Sequence, residues 1–134
     1  MRFMLDTNIC VEMLRGRAPG MLKRLRRFAI DDIAISSITL AELQYGVARS
    51  ARPARNGLLL AKFCAPLAIA PFDSLAAGTY GPMRAQLERA GTPIGPLDTL
   101  IAAHALSLDL TLVTNNEREF SRVSGLHIEN WLTQ

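Results

Sequence analysis

Four acidic residues in this sequence sit where a folded chain could gather them: Asp6, Glu42, Asp98 and Glu119. Asp6 stops the apolar run Phe3-Met4-Leu5 and leads into Thr7-Asn8. Glu42 lies about a turn into the helix expected after Ser36-Ser37. Asp98 follows Pro96, and Glu119 lies one turn past Thr114-Asn115-Asn116. Two carboxylates ~4 Å apart repel by about 4 kcal/mol at an effective dielectric of about 20. A cleft lined by several such groups therefore keeps protons or holds a cation. With only two histidines in the chain, the donors are hard oxygens, which select Mg²⁺ or Mn²⁺ over zinc. A divalent ion held by carboxylates can acidify a water and stabilise charge on a phosphate, which is the chemistry of phosphodiester hydrolysis.

Each acid also has a purely structural reading. Asp6 could cap a helix, and Thr39-Leu40-Ala41-Glu42 has the pattern of a capping box. Asp98 and Glu119 fall in first helical turns, where the helix dipole favours a negative charge by roughly 0.3 to 1 kcal/mol. Spacing alone leaves both readings open.

The elements that must position these acids are short strands alternating with helices. Strands are predicted at Phe3–Leu5, Ile33–Ile35, Leu67–Ala70, Thr111–Thr114 and around His127-Ile128. Helices are expected from about Thr7 to Leu14, through Leu22, Leu25, Phe28 and Ala29, from about Leu40 to Ser50, over Asn56–Phe63 and Leu75–Ala90, and from Pro96 to about Leu108. Arg15 to Gly20 reads as a loop. Apolar strands alternating with helices imply a parallel sheet covered on both faces, an α/β sandwich. In such sheets ligands bind beyond the carboxyl ends of the strands, and the strand ends are where Asp6, Ser36-Ser37 and Thr114-Asn115-Asn116 fall.

The chain has 134 residues, 49% hydrophobic and 20% charged, which suits one globular domain over residues 1–134 and argues against disorder. Cys10 and Cys64 form no CxxC pair, as expected of reduced thiols. The opening Met-Arg-Phe-Met-Leu-Asp turns acidic too soon for a signal peptide, and no run approaches ~18 apolar residues. A cytoplasmic location without membrane insertion is expected. Fifteen Lys+Arg against twelve Asp+Glu give a net charge of +3. Thirteen of the fifteen are arginine, whose planar fork suits phosphate. Six basic residues lie between Arg15 and Arg27, either a solvated helix face or a nucleic-acid contact.

Four segments together resemble the motifs of PIN-domain ribonucleases, in particular the VapC toxins of bacterial toxin–antitoxin pairs. They are Leu5-Asp6-Thr7-Asn8, Ser36-Ser37-Ile38-Thr39-Leu40-Ala41-Glu42-Leu43-Gln44-Tyr45-Gly46, Gly95-Pro96-Leu97-Asp98-Thr99-Leu100-Ile101-Ala102-Ala103-His104-Ala105, and Val113-Thr114-Asn115-Asn116-Glu117-Arg118-Glu119-Phe120. The likeness runs in order along essentially the whole chain, closing with Leu126-His127-Ile128-Glu129-Asn130-Trp131. It implies a three-layer α/β/α fold with a mostly parallel sheet of about five strands. It also implies Mg²⁺- or Mn²⁺-dependent cleavage of single-stranded or looped RNA. Asp6 and Asp98 would bind metal, Glu42 would complete the acidic cluster, and Glu119 would stand in the fourth position, where many members have Asp. Thr7 and Asn8 would orient the first carboxylate, Asn116 would lie in the metal's outer shell, and Asn115 and Asn116 are neutral candidates for the fourth position beside Glu119. Arg15, Arg17 and Arg118 are candidates for flanking phosphates. Gly91-Thr92-Pro93-Ile94-Gly95-Pro96-Leu97-Asp98 is similar to the branch that cuts initiator tRNA in its anticodon loop. The resemblance further implies a homodimer and a VapB-type antitoxin whose tail fills the acidic groove.

Other residues carry less. His104 follows Leu97 by seven and Leu100 by four, so it reads as a packed core histidine. His127 has no carboxylate partner in sequence, and Trp131 reads as a seal on the terminal strand. A phosphoaspartate receiver would need a lysine after a late strand, and a haloacid-type phosphatase would need Asp where Asn8 stands. A non-catalytic RNA- or partner-binding module and a structure-specific DNA nuclease remain as alternatives.

Overall fold

The computed structural model describes residues 1–132, two short of the expected domain end. Strands β1 (Phe3–Leu5), β2 (Ile33–Ser36), β3 (Ala68–Ala70), β4 (Thr111–Val113) and β5 (Ile128–Glu129) form one sheet in the order β3-β2-β1-β4-β5. Every pairing is parallel, so the sheet is wholly rather than mostly parallel. Among the described residues seven α-helices accompany it: α1 (Thr7–Leu14), α2 (Pro19–Leu25), α3 (Ser37–Ala48), α4 (Pro53–Cys64), α5 (Ser74–Arg89), α6 (Pro96–Ser107) and α7 (Glu117–Phe120).

Side chains alternate across a strand, and β1 accordingly feeds two cores. Phe3 and Leu5 join Ile33, Ile35 and Val113 under α1, α2, α3 and α4, through Ile9, Met21, Leu43 and Leu60. Met4 and Leu112 join the opposite core, under Met83 and Leu87 of α5, Ile101 of α6 and Phe120 of α7. The result is three layers, with the central strands buried on both faces.

Several boundaries differ from the sequence reading for identifiable reasons. Pro19 opens α2, because a proline loses nothing at a first helical position; the expected loop therefore ends at Ala18. Helix α2 stops at Leu25, so Phe28 is not helical but stacks on Trp131 at 5.6 Å. Trp131 is buried beside Phe3 and closes this edge as expected. Pro53 likewise starts α4 three residues early. Ser36 ends β2 and caps α3 by accepting the Ile38 N–H. Because that cap lies three residues before Thr39, the expected Thr39–Glu42 capping box does not form. Both cysteines are free thiols. Among the described residues no helix is long and apolar enough to cross a membrane.

Candidate active site

Register sets the site. Leu5 pairs with Ile35 on one side and Val113 on the other, so Asp6, Ser36 and Thr114 leave three adjacent strands at one level. Asp6 is 2% exposed and caps α1, accepting the Ile9 N–H on Oδ1 at 2.8 Å. Its Oδ2 accepts the Thr114 hydroxyl at 2.5 Å. Thr114 Oγ1 in turn accepts the Asn116 N–H at 2.9 Å. Capping is thus part of what Asp6 does, and it leaves the carboxylate held from two sides.

The remaining acids converge from separate elements. Glu42 on α3 accepts the Thr7 hydroxyl at 2.6 Å, and Thr7 also meets the buried Thr39 hydroxyl at 3.1 Å. Glu119 on α7 accepts the Gly95 N–H on Oε1 and the Asn116 side-chain amide on Oε2, each at 2.6 Å. Asp98, in the first turn of α6, flanks Gly95 together with Glu119, one oxygen of each lying 3.5 Å from the position a Cβ on Gly95 would take. Burial, then repulsion by Glu119, Asp6 and Glu42, pushes the Asp98 carboxyl up to about 6. Asp6 is also pushed up to about 6, chiefly by burial, with Glu42 adding repulsion against the opposing bonds from Thr114 and Ile9. The other three sequence-identified acids therefore all act on Asp98, and Glu42 acts on Asp6 as well.

The donor set fits a hard cation in a particular way. Among the described residues no group of three or more His, Cys, Asp or Glu could hold a metal by itself. Mg²⁺ takes one or two carboxylates and completes its shell with water and substrate oxygens, so paired acids suit it and a zinc cage is absent from these residues. A Cβ on Gly95 would lie in van der Waals contact with both acids, 3.5 Å from Asp98 Oδ2 and from Glu119 Oε1.

Thr7, expected to orient Asp6, donates instead to Glu42, while Asp6 is held by Thr114 and the Ile9 N–H; Asn116 donates to Glu119. Asn8 and Asn115 are exposed and, among the described residues, hydrogen-bond to none of the four acids. Thr114, Thr39 and Gly95 belong to the site, although the sequence reading gave Thr39 only a capping role and the other two none. A groove of about 790 Å³ begins at Thr7 and Glu42 and is lined by Arg15, Arg49 and Tyr45 as well as apolar side chains; Asp6, Asp98 and Glu119 do not line it. Arg17 lies 3.8 Å from Glu12, and Arg118 is exposed beside Glu119 on α7. His104 is 1% exposed, as expected of a core histidine.

The PIN domain model matches residues 3–126. The chain belongs to the PIN-domain family. Within the PIN-domain proteins it is most plainly like the VapC group. It is 42% identical over 131 residues to the tRNA(fMet)-specific endonuclease VapC of Shigella flexneri, covering 98% of each chain. It is 45% identical to Ribonuclease VapC2 of Rickettsia felis, again with 98% of each covered. Among solved structures, the DNA-bound VapBC of Salmonella typhimurium superposes at a TM-score of 0.94 with 43% identity and 98% coverage of both chains. The promoter-bound VapBC2 of Rickettsia felis superposes at 0.93 with 44% identity, covering 98% of this chain and 99% of that one. The PIN fold read from the sequence is the fold observed.

Proposed function

We propose that this chain is a Mg²⁺-dependent endoribonuclease and the toxin of a toxin–antitoxin pair, cutting RNA and favouring the anticodon loop of initiator tRNA, so that translation stops until an antitoxin binds. The observation that carries the reading is the convergence of Glu42, Asp6 and Glu119 on Asp98 beyond the carboxyl ends of the strands, where all three repel it. Caps spread over a surface would not act together on one carboxyl. Near-full-length relatives named ribonucleases, including tRNA(fMet)-specific endonucleases, support the substrate class.

In this reading Asp6 and Asp98 hold the ion, with Mn²⁺ an acceptable substitute. When bound, a divalent ion supplies charge stabilisation for the phosphate and a water acidic enough to attack near neutral pH. Thr114 and the Ile9 N–H fix the Asp6 carboxylate, one on each oxygen. Glu42, fixed by Thr7, orients the attacking water and accepts its proton. Glu119, braced by Gly95 and Asn116, keeps a second negative group against Asp98. Water would add in line to phosphorus as the P–O3′ bond breaks, and the departing O3′ would take a proton from solvent, leaving 3′-hydroxyl and 5′-phosphate ends. Arg15, which shares a groove with Glu42, and Arg118 would neutralise flanking phosphates.

Solved relatives are VapBC complexes, which supports a VapB-type antitoxin for this chain, reaching Glu42 along the groove. A homodimer and a cytoplasmic location go with this reading, as does a single domain over residues 1–134. The test is cleavage of matched RNA and DNA oligonucleotides with Mg²⁺ and with EDTA. The reading requires RNA cleavage that EDTA abolishes. Metal-insensitive binding without cleavage would favour a binding module, and preferential DNA cleavage a DNA nuclease.

A further inference from the structure

The proposed chemistry leaves one buried titratable group unused. His104 sits on α6, six residues beyond Asp98, and its Nδ1 lies 2.8 Å from Ser36 Oγ. Ser36 is fully buried and caps α3, accepting the Ile38 N–H at 3.0 Å. Glu42 is six residues beyond Ser36 on that helix. Each acid thus stands about 9 Å of helix from the shared bond, at ~1.5 Å per residue.

The Ser36 hydroxyl can donate to His104 Nδ1 while its oxygen accepts the Ile38 N–H. Burial lowers the proton affinity of the ring, which agrees with a neutral imidazole accepting on Nδ1. The surroundings hold the ring still. Phe72 packs against it edge-on at 5.4 Å, and the Phe72 N–H donates to Ser37 Oγ at 3.0 Å, tying the corner before α5 to the start of α3. Asp73, the charged group that acts on the ring, is occupied capping α5.

We propose that His104 is a positioning residue for the acidic site: its bond to Ser36 ties the helix bearing Asp98 to the helix bearing Glu42 and sets the separation of the two acids. The partner that satisfies this buried ring is the N-cap of the helix that carries Glu42, so the one bond joins the two helices. The inference rests on the nuclease reading, and its test separates the two.

The experiment measures Mn²⁺ affinity by calorimetry, and kcat and KM on RNA, for the wild type, H104A, H104N, S36A and H104A/S36A, each well below its Tm. Asn keeps an acceptor near the position of Nδ1. Folded H104A should bind Mn²⁺ about tenfold more weakly and lose about tenfold to a hundredfold in kcat with KM little changed. H104N should recover most of both. S36A, which keeps the ring, should match H104A, and the double variant should be no worse than either single one. Wild-type Mn²⁺ affinity in folded H104A or S36A, additive effects in the double variant, or no recovery in H104N would overturn the tie. A wild type that binds Mn²⁺ and leaves RNA intact would refute the nuclease reading, while the Mn²⁺ comparison still decided this one. A wild type that binds no Mn²⁺ would overturn both.

Discussion

The Thr114 hydroxyl donates to Asp6 Oδ2 at 2.5 Å across 108 residues of sequence, joining the end of β4 to the end of β1. The parallel register makes this possible, since Leu5 and Val113 are partners immediately before the two residues. A hydrogen bond to a charged group contributes about 1.5 to 3 kcal/mol. Thr114→Val should therefore lower kcat about tenfold to a hundredfold, and Thr114→Ser should keep most of it. Steady-state cleavage beside circular dichroism checks that the loss belongs to the site and not to the fold.

The acids should destabilise the metal-free protein near neutral pH. Asp6 and Asp98 each bind a proton more tightly in the folded state, near 6 against an ordinary 3.8. Their contribution is full below pH 3.8 and is lost as pH rises through about 6, so, as far as these two are concerned, stability falls across that window. Melting in EDTA should show this decline, Asp98→Asn should flatten it, and Mg²⁺ should raise Tm at pH 7 more than at pH 4.5. A Tm in EDTA that rises from pH 4 to 7 equally in wild type and Asp98→Asn would contradict the raised carboxyls.

Gly95 has φ −54 and ψ 149, a conformation open to any residue, so Gly95→Ala should fold normally. Its methyl would sit 3.5 Å from the facing oxygens of Asp98 and Glu119, in space the proposed ion and phosphate need. Cleavage should fall at least about tenfold while Tm stays near wild type, because surface changes away from special backbone cost within about 0.5 kcal/mol. Wild-type cleavage would place the reacting phosphate elsewhere.

Glu119→Ala should lower the proton affinity of Asp98, since Glu119 is the largest source of repulsion on it. It should also free the Gly95 N–H and the Asn116 amide. NMR titration of Asp98 in metal-free protein and hydrogen exchange at Gly95 read the two effects separately. An unchanged Asp98 titration would remove Glu119 from the cluster.

How much of this was legible in the sequence follows from what each feature depends on. Asp6 and Asp98 stood out because a strand end and a proline-opened helix are local signals. The alternation of Phe3, Met4 and Leu5 between two cores could likewise be anticipated from a run apolar throughout. Thr114 could not be assigned to Asp6, because that bond depends on β1 and β4 being neighbours, and strands of three residues carry no pairing code. Thr39 was masked by its own pattern: Thr39 to Glu42 spells a capping box, but Ser36 took the cap and left Thr39 facing Thr7. Asn115 and Asn116 are indistinguishable by type. The Asn116 backbone bond to Thr114 selects which amide reaches Glu119. Arg49 entered the groove beside Arg15 only through the packing of α3 against α4 and α1.

The metal-dependent ribonuclease proposed for the four acids is tested by incubating purified wild-type protein and Asp98→Asn with a total tRNA pool, in Mg²⁺ and in EDTA, and mapping the ends produced. The expected result is discrete fragments of initiator tRNA, broken in the anticodon loop with a 5′-phosphate, from the wild type in Mg²⁺ alone. Cleavage that persists in EDTA or in folded Asp98→Asn, or an intact pool and an intact wider RNA panel with folded wild type, would contradict it.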